Sequence, residues 1–470
     1  MRTVDLWWLL RRRSADERDP QGLTNVLAII AFGVTTAILL VVMGGFHAFL
    51  ERAGGIDGMR EGMDSAITPY ATQYPLLAGV ASLLLLIPLV TLGAAAARLA
   101  VARRDARLAA LRLAGATTGQ VTTLTALDAA AQAVIGALAG LLGYGALLPL
   151  VAQLRFQGRT FAIGELWVGV PALLGAVVLV VVIALVSALV SLRRVAITPL
   201  GVAARVTPPG LKAVRLLSMG VAFVALIVAT NLSFGSVAVV LTVLTVILLV
   251  GFATVNVVGP FVIWLVGKMT AGSARRVPTL LAGRRIVDNP KTAWRSVGGV
   301  ALATFIAGLT SIFALLDPGL GADPDEVQYL TDMKTGGFLT LAIAGVLAAV
   351  STGVMQAGRV IDQRNEYRTL VLSGTDLRTL DQARFRETLV PLVVSVGVST
   401  FAALLFMVPV IGLNAFANVE VVVQFLLCVA AASALVLAGA GASRFVVRSA
   451  LAIGLAVARM LTDREWTFER

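Results

Sequence analysis

Few side chains in this sequence have the type and spacing for covalent or acid–base chemistry. His47 is the single histidine and Cys428 the single cysteine. No cluster therefore has metal-ligand spacing, and no disulfide can form within the chain. No Ser-His-Asp or paired-carboxylate arrangement occurs either. His47 reads as an interfacial residue at a helix end, and Cys428, inside an apolar run, as packing. The stretch "GPFVIWLVGKMT" holds a Gly-Lys pair, but it lacks the G-x-x-x-x-G-K-[ST] frame that cradles phosphates. Lys268 there reads as a topology anchor. The chain is expected not to be an enzyme and to hold no cofactor; any ATP and magnesium would be bound by a separate subunit.

What remains is mechanical rather than catalytic. "LRLAGATTGQV" (Leu111 to Val121) follows a basic cluster, and "YRTLVLSGTDLRTL" repeats the design 259 residues later (374 − 115). In the first copy Arg107 and Arg112 flank leucines. Gly115 is expected to end that helix in a left-handed cap, and Ala116, Thr117 and Gln120 to open a short second helix. One such glycine reads as an ordinary cap in a basic loop held by anionic lipid. Its recurrence around Gly374, with Glu366, Arg368, Thr375 and Asp376, points to a docking knob for a partner's groove. Asp128 and Glu387 each follow their glycine by thirteen residues. Each is expected either to complement a helix N-terminus or to pair with an arginine of the neighbouring basic segment and stiffen the joint.

These residues need elements to hold them, and composition says which. The 470 residues are 58% hydrophobic and 14% charged, more apolar surface than domain-sized cores can bury. Spanning a hydrocarbon layer takes about 20 apolar residues in helix. Uncharged runs at 20–46, 69–97, 129–154, 166–192, 216–267, 296–316, 335–358, 388–419 and 421–443 meet that length. The run 216–267 is long enough for two spans and is broken by "NLSFGS". Ten transmembrane helices are expected in an all-α polytopic membrane protein, because continuous apolar runs exclude a barrel.

One set of loops, with the termini, carries 33 of the 38 Lys and Arg; the other carries five against eleven Asp and Glu. Both termini are therefore expected to be cytoplasmic. The net charge of +12 is this asymmetry and not a nucleic-acid footprint. The first apolar run is too long for a removable signal peptide. "LWWLL" before three arginines reads as an interfacial helix. Thirty-four arginines against four lysines suggest a GC-rich bacterial genome, hence a bacterial cytoplasmic (inner) membrane.

The chain also repeats itself. Leu111 falls on Leu370, Leu113 on Leu372 and Asp128 on Glu387, while Pro20 aligns with Pro290 ahead of a span. Residues 1–194 are expected to form one four-helix unit with an N-terminal interfacial helix. Residues 195–274 supply a linker with helices 5 and 6, and residues 275–470 a second unit with a C-terminal tail. Both units begin on the same side, so the repeat is parallel, unlike the inverted repeats of many carriers. Gly136, Gly140 and Gly143 read as a helix-packing stripe. The outer loops, including "DPGLGADPDEVQYLTDMK", are too short to fold alone.

The segment "RLAALRLAGATTGQV" resembles the stretch after the second helix of FtsX/MacB-type permeases, of type VII ABC transporters, whose pattern runs E-x-x-x-L-R-x-L-G-A-T. Gly115, Ala116 and Thr117 keep that pattern, and Arg107 stands at its glutamate position. The second copy keeps Glu366 but has Thr375 and Asp376 in place of Ala-Thr. The resemblance implies that both glycine segments are coupling helices docking into two copies of a cytoplasmic ABC ATPase. It also implies a permease subunit that exports or extracts a hydrophobic, lipid-like or peptide substrate, or transmits ATP-driven force. Membrane lipid is the expected surrounding, and the acidic face leaves room for an extracytoplasmic partner protein. Two rival readings stay open: an ion-coupled secondary carrier, which needs intramembrane carboxylates, and a non-transporting membrane anchor for a regulatory ATPase.

Overall fold

The computed structural model describes residues 21–64, 70–102, 117–196, 237–311, 323–362, 373–411 and 422–439, with a few single positions between them. The expected span at 216–230, the N-terminal interfacial helix and the C-terminal tail lie outside the described residues. Among the described residues, nine helices are long and apolar enough to cross a membrane.

The first unit begins with α1 (Gln21–Arg52), followed by the short α2 (Gly55–Asp64), α3 (Tyr70–Ala102) and α4 (Thr118–Ala152). A two-stranded hairpin, β1 (Arg155–Phe156) and β2 (Arg159–Thr160), then leads through α5 (Ile163–Leu166) into α6 (Gly169–Ala196). Next come α7 (Val237–Gly272), the amphipathic α8 (Val277–Asp288), α9 (Pro290–Ser311), α10 (Pro324–Asp362) and α11 (Leu377–Ile411). The final span is α12 (Val422–Gly439). The chain is an all-α, multi-pass membrane protein.

Packing repeats between the halves. In the first, α1 lies against α3 and α4, and α6 closes against α3 and α4. In the second, α9 lies against α10 and α11, and Gly353 and Gly439 bring α12 onto α10. The third helices match at their starts: α4 and α11 are each described over 35 residues, and 259 separates Thr118 from Leu377 (377 − 118). At 1.5 Å per residue each is about 52 Å long, roughly 20 Å more than the apolar layer needs. The excess is polar: Arg378, Arg386 and Glu387 all precede the apolar run of α11.

Small residues set the closest approaches, since lipid offers no hydrophobic drive between helices. A Cβ on Gly136 would meet Phe32 Cβ at 2.5 Å, and one on Gly140 would meet Gly33 O and Thr36 Cβ at 2.6 Å. Gly143 faces Ala37 Cβ at 3.3 Å. Across the molecule, α10 of the second half packs on α3 and α1 of the first.

Candidate functional site

Two ends of the bundle hold the residues of interest. At one end sit the glycine segments. Arg107, Arg112, Gly115, Ala116, Glu366 and Arg368 lie outside the described residues. Gly374 has φ +88°, the left-handed region that costs any side chain with a Cβ. Thr117 is the N-cap of α4: its hydroxyl accepts from Gln120 N–H (3.2 Å), and Gln120 Oε1 accepts from Thr117 N–H (3.0 Å). This reciprocal box satisfies two backbone donors of the first turn. Asp376 takes the same place before α11, its carbonyl accepting from Leu380 N–H at 3.2 Å. Thr and Asp are both favoured N-caps, so Asp376 can replace threonine in this pattern without loss of the helix start.

That geometry corrects one expectation. No separate short helix follows the first glycine segment, because α4 runs unbroken from its cap into the span. A second correction follows. Asp128 and Glu387 are each the eleventh residue of their helix, about 15 Å from its start, and the dipole acts only within the first turn. Complementing a helix N-terminus is therefore not what they do. Glu387 Oε2 accepts from Arg285 Nη1 at 3.4 Å, with the two side chains 15% and 16% exposed. Arg285 lies on α8, the amphipathic helix before α9, and not on the neighbouring basic segment as expected. The pair ties α11 to α8, where the two helices pack. Asp128 is half-buried and is not free. One turn further, Gln132 Nε2 donates to Asn25 Oδ1 of α1 at 2.9 Å.

The other end is built around the hairpin. Its turn residues Gln157 and Gly158 have φ +57° and +73°, the paired left-handed conformation of a two-residue type I′ turn. Arg52, with a side chain 2% exposed, holds the hairpin against α1. Its guanidinium donates to Glu165 Oε2 (2.7 Å), Phe156 O (2.9 Å) and Thr160 O (2.9 Å), and lies 4.3 Å from the Phe161 ring centroid. His47, near this end of α1, contacts the Glu165 carbonyl at 3.2 Å through Nδ1.

Here the two halves meet over one buried carboxylate. Asp332 of α10 is 4% exposed. Its Oδ2 accepts from Tyr74 Oη of α3 and from Gln157 N–H of the hairpin, both at 2.7 Å. Its Oδ1 accepts from Gln328 Nε2 at 2.9 Å. Where an outer loop is expected around Asp332, the chain is helical: α10 begins at Pro324, leaving Asp332 about 12 Å inside it.

Beside this junction lies a cavity of about 640 Å³ between α1, α3 and α4 on one side and α9 and α10 on the other. Its walls are almost wholly apolar; Asp332 is the only charged residue among those lining it. The lining residues Phe46, Leu150 and Val346 are 36%, 65% and 42% exposed, so the cavity wall reaches the surface of the described helices. The volume suits one small amphiphile.

An all-α bundle of long apolar helices defines a polytopic membrane protein as its class. Residues 79–200, covering most of α3 and all of α4 and α6, match the family model of the FtsX-like permease C-terminal domain. This supports the FtsX/MacB-type permease family, and with it an ABC transporter permease subunit in general terms. No curated protein and no solved structure matches the chain.

The hairpin-end residues Tyr74, Gln157 and Asp332 escaped the sequence reading. One signal was available: "DPDEV" is an Asp-Pro start with acids in the first turn, which marks a helix beginning well before the apolar run.

Proposed function

We propose that this chain is the membrane-spanning permease of a type VII ABC system in the bacterial cytoplasmic membrane. Residues 1–194 and 275–470 act as two FtsX-like units, with both termini cytoplasmic and the hairpin end outside. Two cytoplasmic ATPase subunits dock on the segments around Gly115 and Gly374, bind ATP and magnesium, and approach one another. Helices α4 and α11, each continuing from its cap into the membrane without a joint, carry that displacement outward. The Arg285–Glu387 pair moves α8 with α11, so the second unit swings as one piece. At the outer end the two units shift along α3 and α10, and the cavity between them changes volume.

The observation that carries this reading is the cavity itself: apolar, between the units, and with a wall that reaches the surface of the described helices. It favours a hydrophobic or lipid-like substrate taken from the outer leaflet over a soluble ion. Co-purification followed by native mass spectrometry tests the assembly. Two ATPase subunits per permease chain are expected; one ATPase, or a permease dimer with four, contradicts the proposal. A genomic neighbour encoding a nucleotide-binding loop would supply the partner.

A further inference from the structure

The wall of the cavity is uniform except at one place, and that place is built for a positive charge. Asp332 is 4% exposed and lines the space, yet none of the ion pairs among the described residues involves it. Arg52, the cation buried at this end, is committed to Glu165, to two backbone carbonyls and to the face of Phe161. A carboxylate offers about four acceptor sites; three are used, two on Oδ2 and one on Oδ1. A buried charge with hydrogen bonds but no counter-ion is costly in lipid.

The surroundings add a second, independent feature. Phe49 stands at the centre of an aromatic cluster that lines the same cavity. Its ring lies 5.7 Å from Tyr74, 5.3 Å from Phe156 and 5.4 Å from Phe161, centroid to centroid. Grouped aromatic faces recognise ammonium ligands through their ring quadrupoles. The same Tyr74 whose ring joins this cluster donates its hydroxyl to Asp332.

We infer that the cavity takes an amphiphile whose headgroup ends in an ammonium. The ammonium sits against the Asp332 carboxylate and the neighbouring Tyr74 and Phe49 rings, and the hydrocarbon chain lies along the apolar walls of α1, α3 and α10. The inference rests on the lipid-cavity reading above and names the substrate class for it. No bond forms or breaks; the ligand supplies the missing counter-charge.

The test uses the full-length permease in phosphatidylglycerol nanodiscs, with diazirine-bearing hexadecylamine, hexadecanol and hexadecanoic acid as photoprobes. Labelled peptides are identified by mass spectrometry. The amine is expected to label the α3 and α10 wall segments at least about tenfold more than the alcohol or the acid, as a hydrogen bond to a charged group warrants. In Asp332→Asn the amide oxygen still accepts from Tyr74 and Gln157 but the charge is gone. Amine labelling should then fall to the level of the alcohol, whose own labelling stays unchanged. Equal labelling by the three probes in the wild-type protein overturns the headgroup inference and leaves the lipid cavity standing, even if the variant fails to fold. An amine preference that persists in Asp332→Asn also overturns it. Labelling of the cavity by none of the probes overturns both readings. Competition by phosphatidylethanolamine identifies a membrane lipid as the source of the headgroup, and competition by free hexadecylamine alone identifies a soluble amphiphile.

Discussion

Helices α4 and α11 occupy corresponding places in the two halves with different residues at matching positions. Each is described over 35 residues and has a polar N-cap and an acid as its eleventh residue. At an offset of 259, Gly136 and Gly140 of α4 correspond to Ser395 and Ser399 of α11 (395 − 136, 399 − 140). The glycines let the backbone of α1 come so close that a Cβ would collide with it. The serines are fully buried, and Ser395 donates to the Val297 carbonyl of α9 at 3.2 Å. Both solutions are small, but one relies on bare van der Waals approach and the other adds a hydrogen bond from Ser395. Glu387 reaches α8 through Arg285, and one turn beyond Asp128 the amide pair of Gln132 and Asn25 reaches α1. The two helices share their placement, while the small residues that pack them differ.

Exchanging the small residues should break this comparison most sharply. Gly136→Ser places a Cβ against Phe32 and Ile29, and should cost about 1–3 kcal/mol, the usual range for overpacking. The reciprocal Ser395→Gly removes one hydrogen bond and should cost about 1 kcal/mol. Unfolding of the purified permease by steric trapping in bicelles measures both, and equal costs would mean that the two interfaces are equally tight. Next in size, Tyr74→Phe withdraws one donor from the buried Asp332 and should destabilise the junction by about 1.5–3 kcal/mol, as for hydrogen bonds to charged groups. A cycle with Asp332→Asn should show non-additive losses, because the two groups touch.

At the opposite end the effects are smaller. Thr117→Ala and Asp376→Ala should each cost about 1 kcal/mol through loss of the cap. Because α4 has the reciprocal Gln120 contact, Thr117→Ala is expected to be the costlier of the two; hydrogen exchange of the first helical turn reports both. Glu387→Gln should lower thermal stability only slightly, by under about 1 kcal/mol for a partly exposed pair. It should nonetheless reduce the stimulation of the partner ATPase by substrate, and unchanged stimulation would assign the pair a packing role alone.

Much of this architecture was legible in the residues because lipid imposes a simple rule. Long uncharged runs must be helices, and the basic clusters between them must lie outside. The spacing of Gly115 and Gly374 (374 − 115 = 259) recurs between the starts of α4 and α11 (377 − 118). Other features were hidden by the same rule. Polar residues between Thr117 and Asp128 looked like a loop and a short helix, whereas they form the protruding first turns of a span. Asp332 looked like one of several loop acids, since its burial depends on Tyr74 and Gln157, which are 258 and 175 residues away. The hairpin rests on Gln-Gly, a weaker turn signal than Asn-Gly, and gains its hold from Arg52 far upstream.

The central claim is that ATP moves the two units against each other at the hairpin end. Double electron–electron resonance can measure this directly in a Cys428→Ala background. Spin labels would replace Arg159 on the hairpin and Val327 on α10, both exposed, in nanodiscs with the partner ATPase. The account predicts a shift in the label-to-label distance when a trapped ATP analogue is added, and its reversal when the nucleotide is removed. An identical distance distribution in the two states would contradict it.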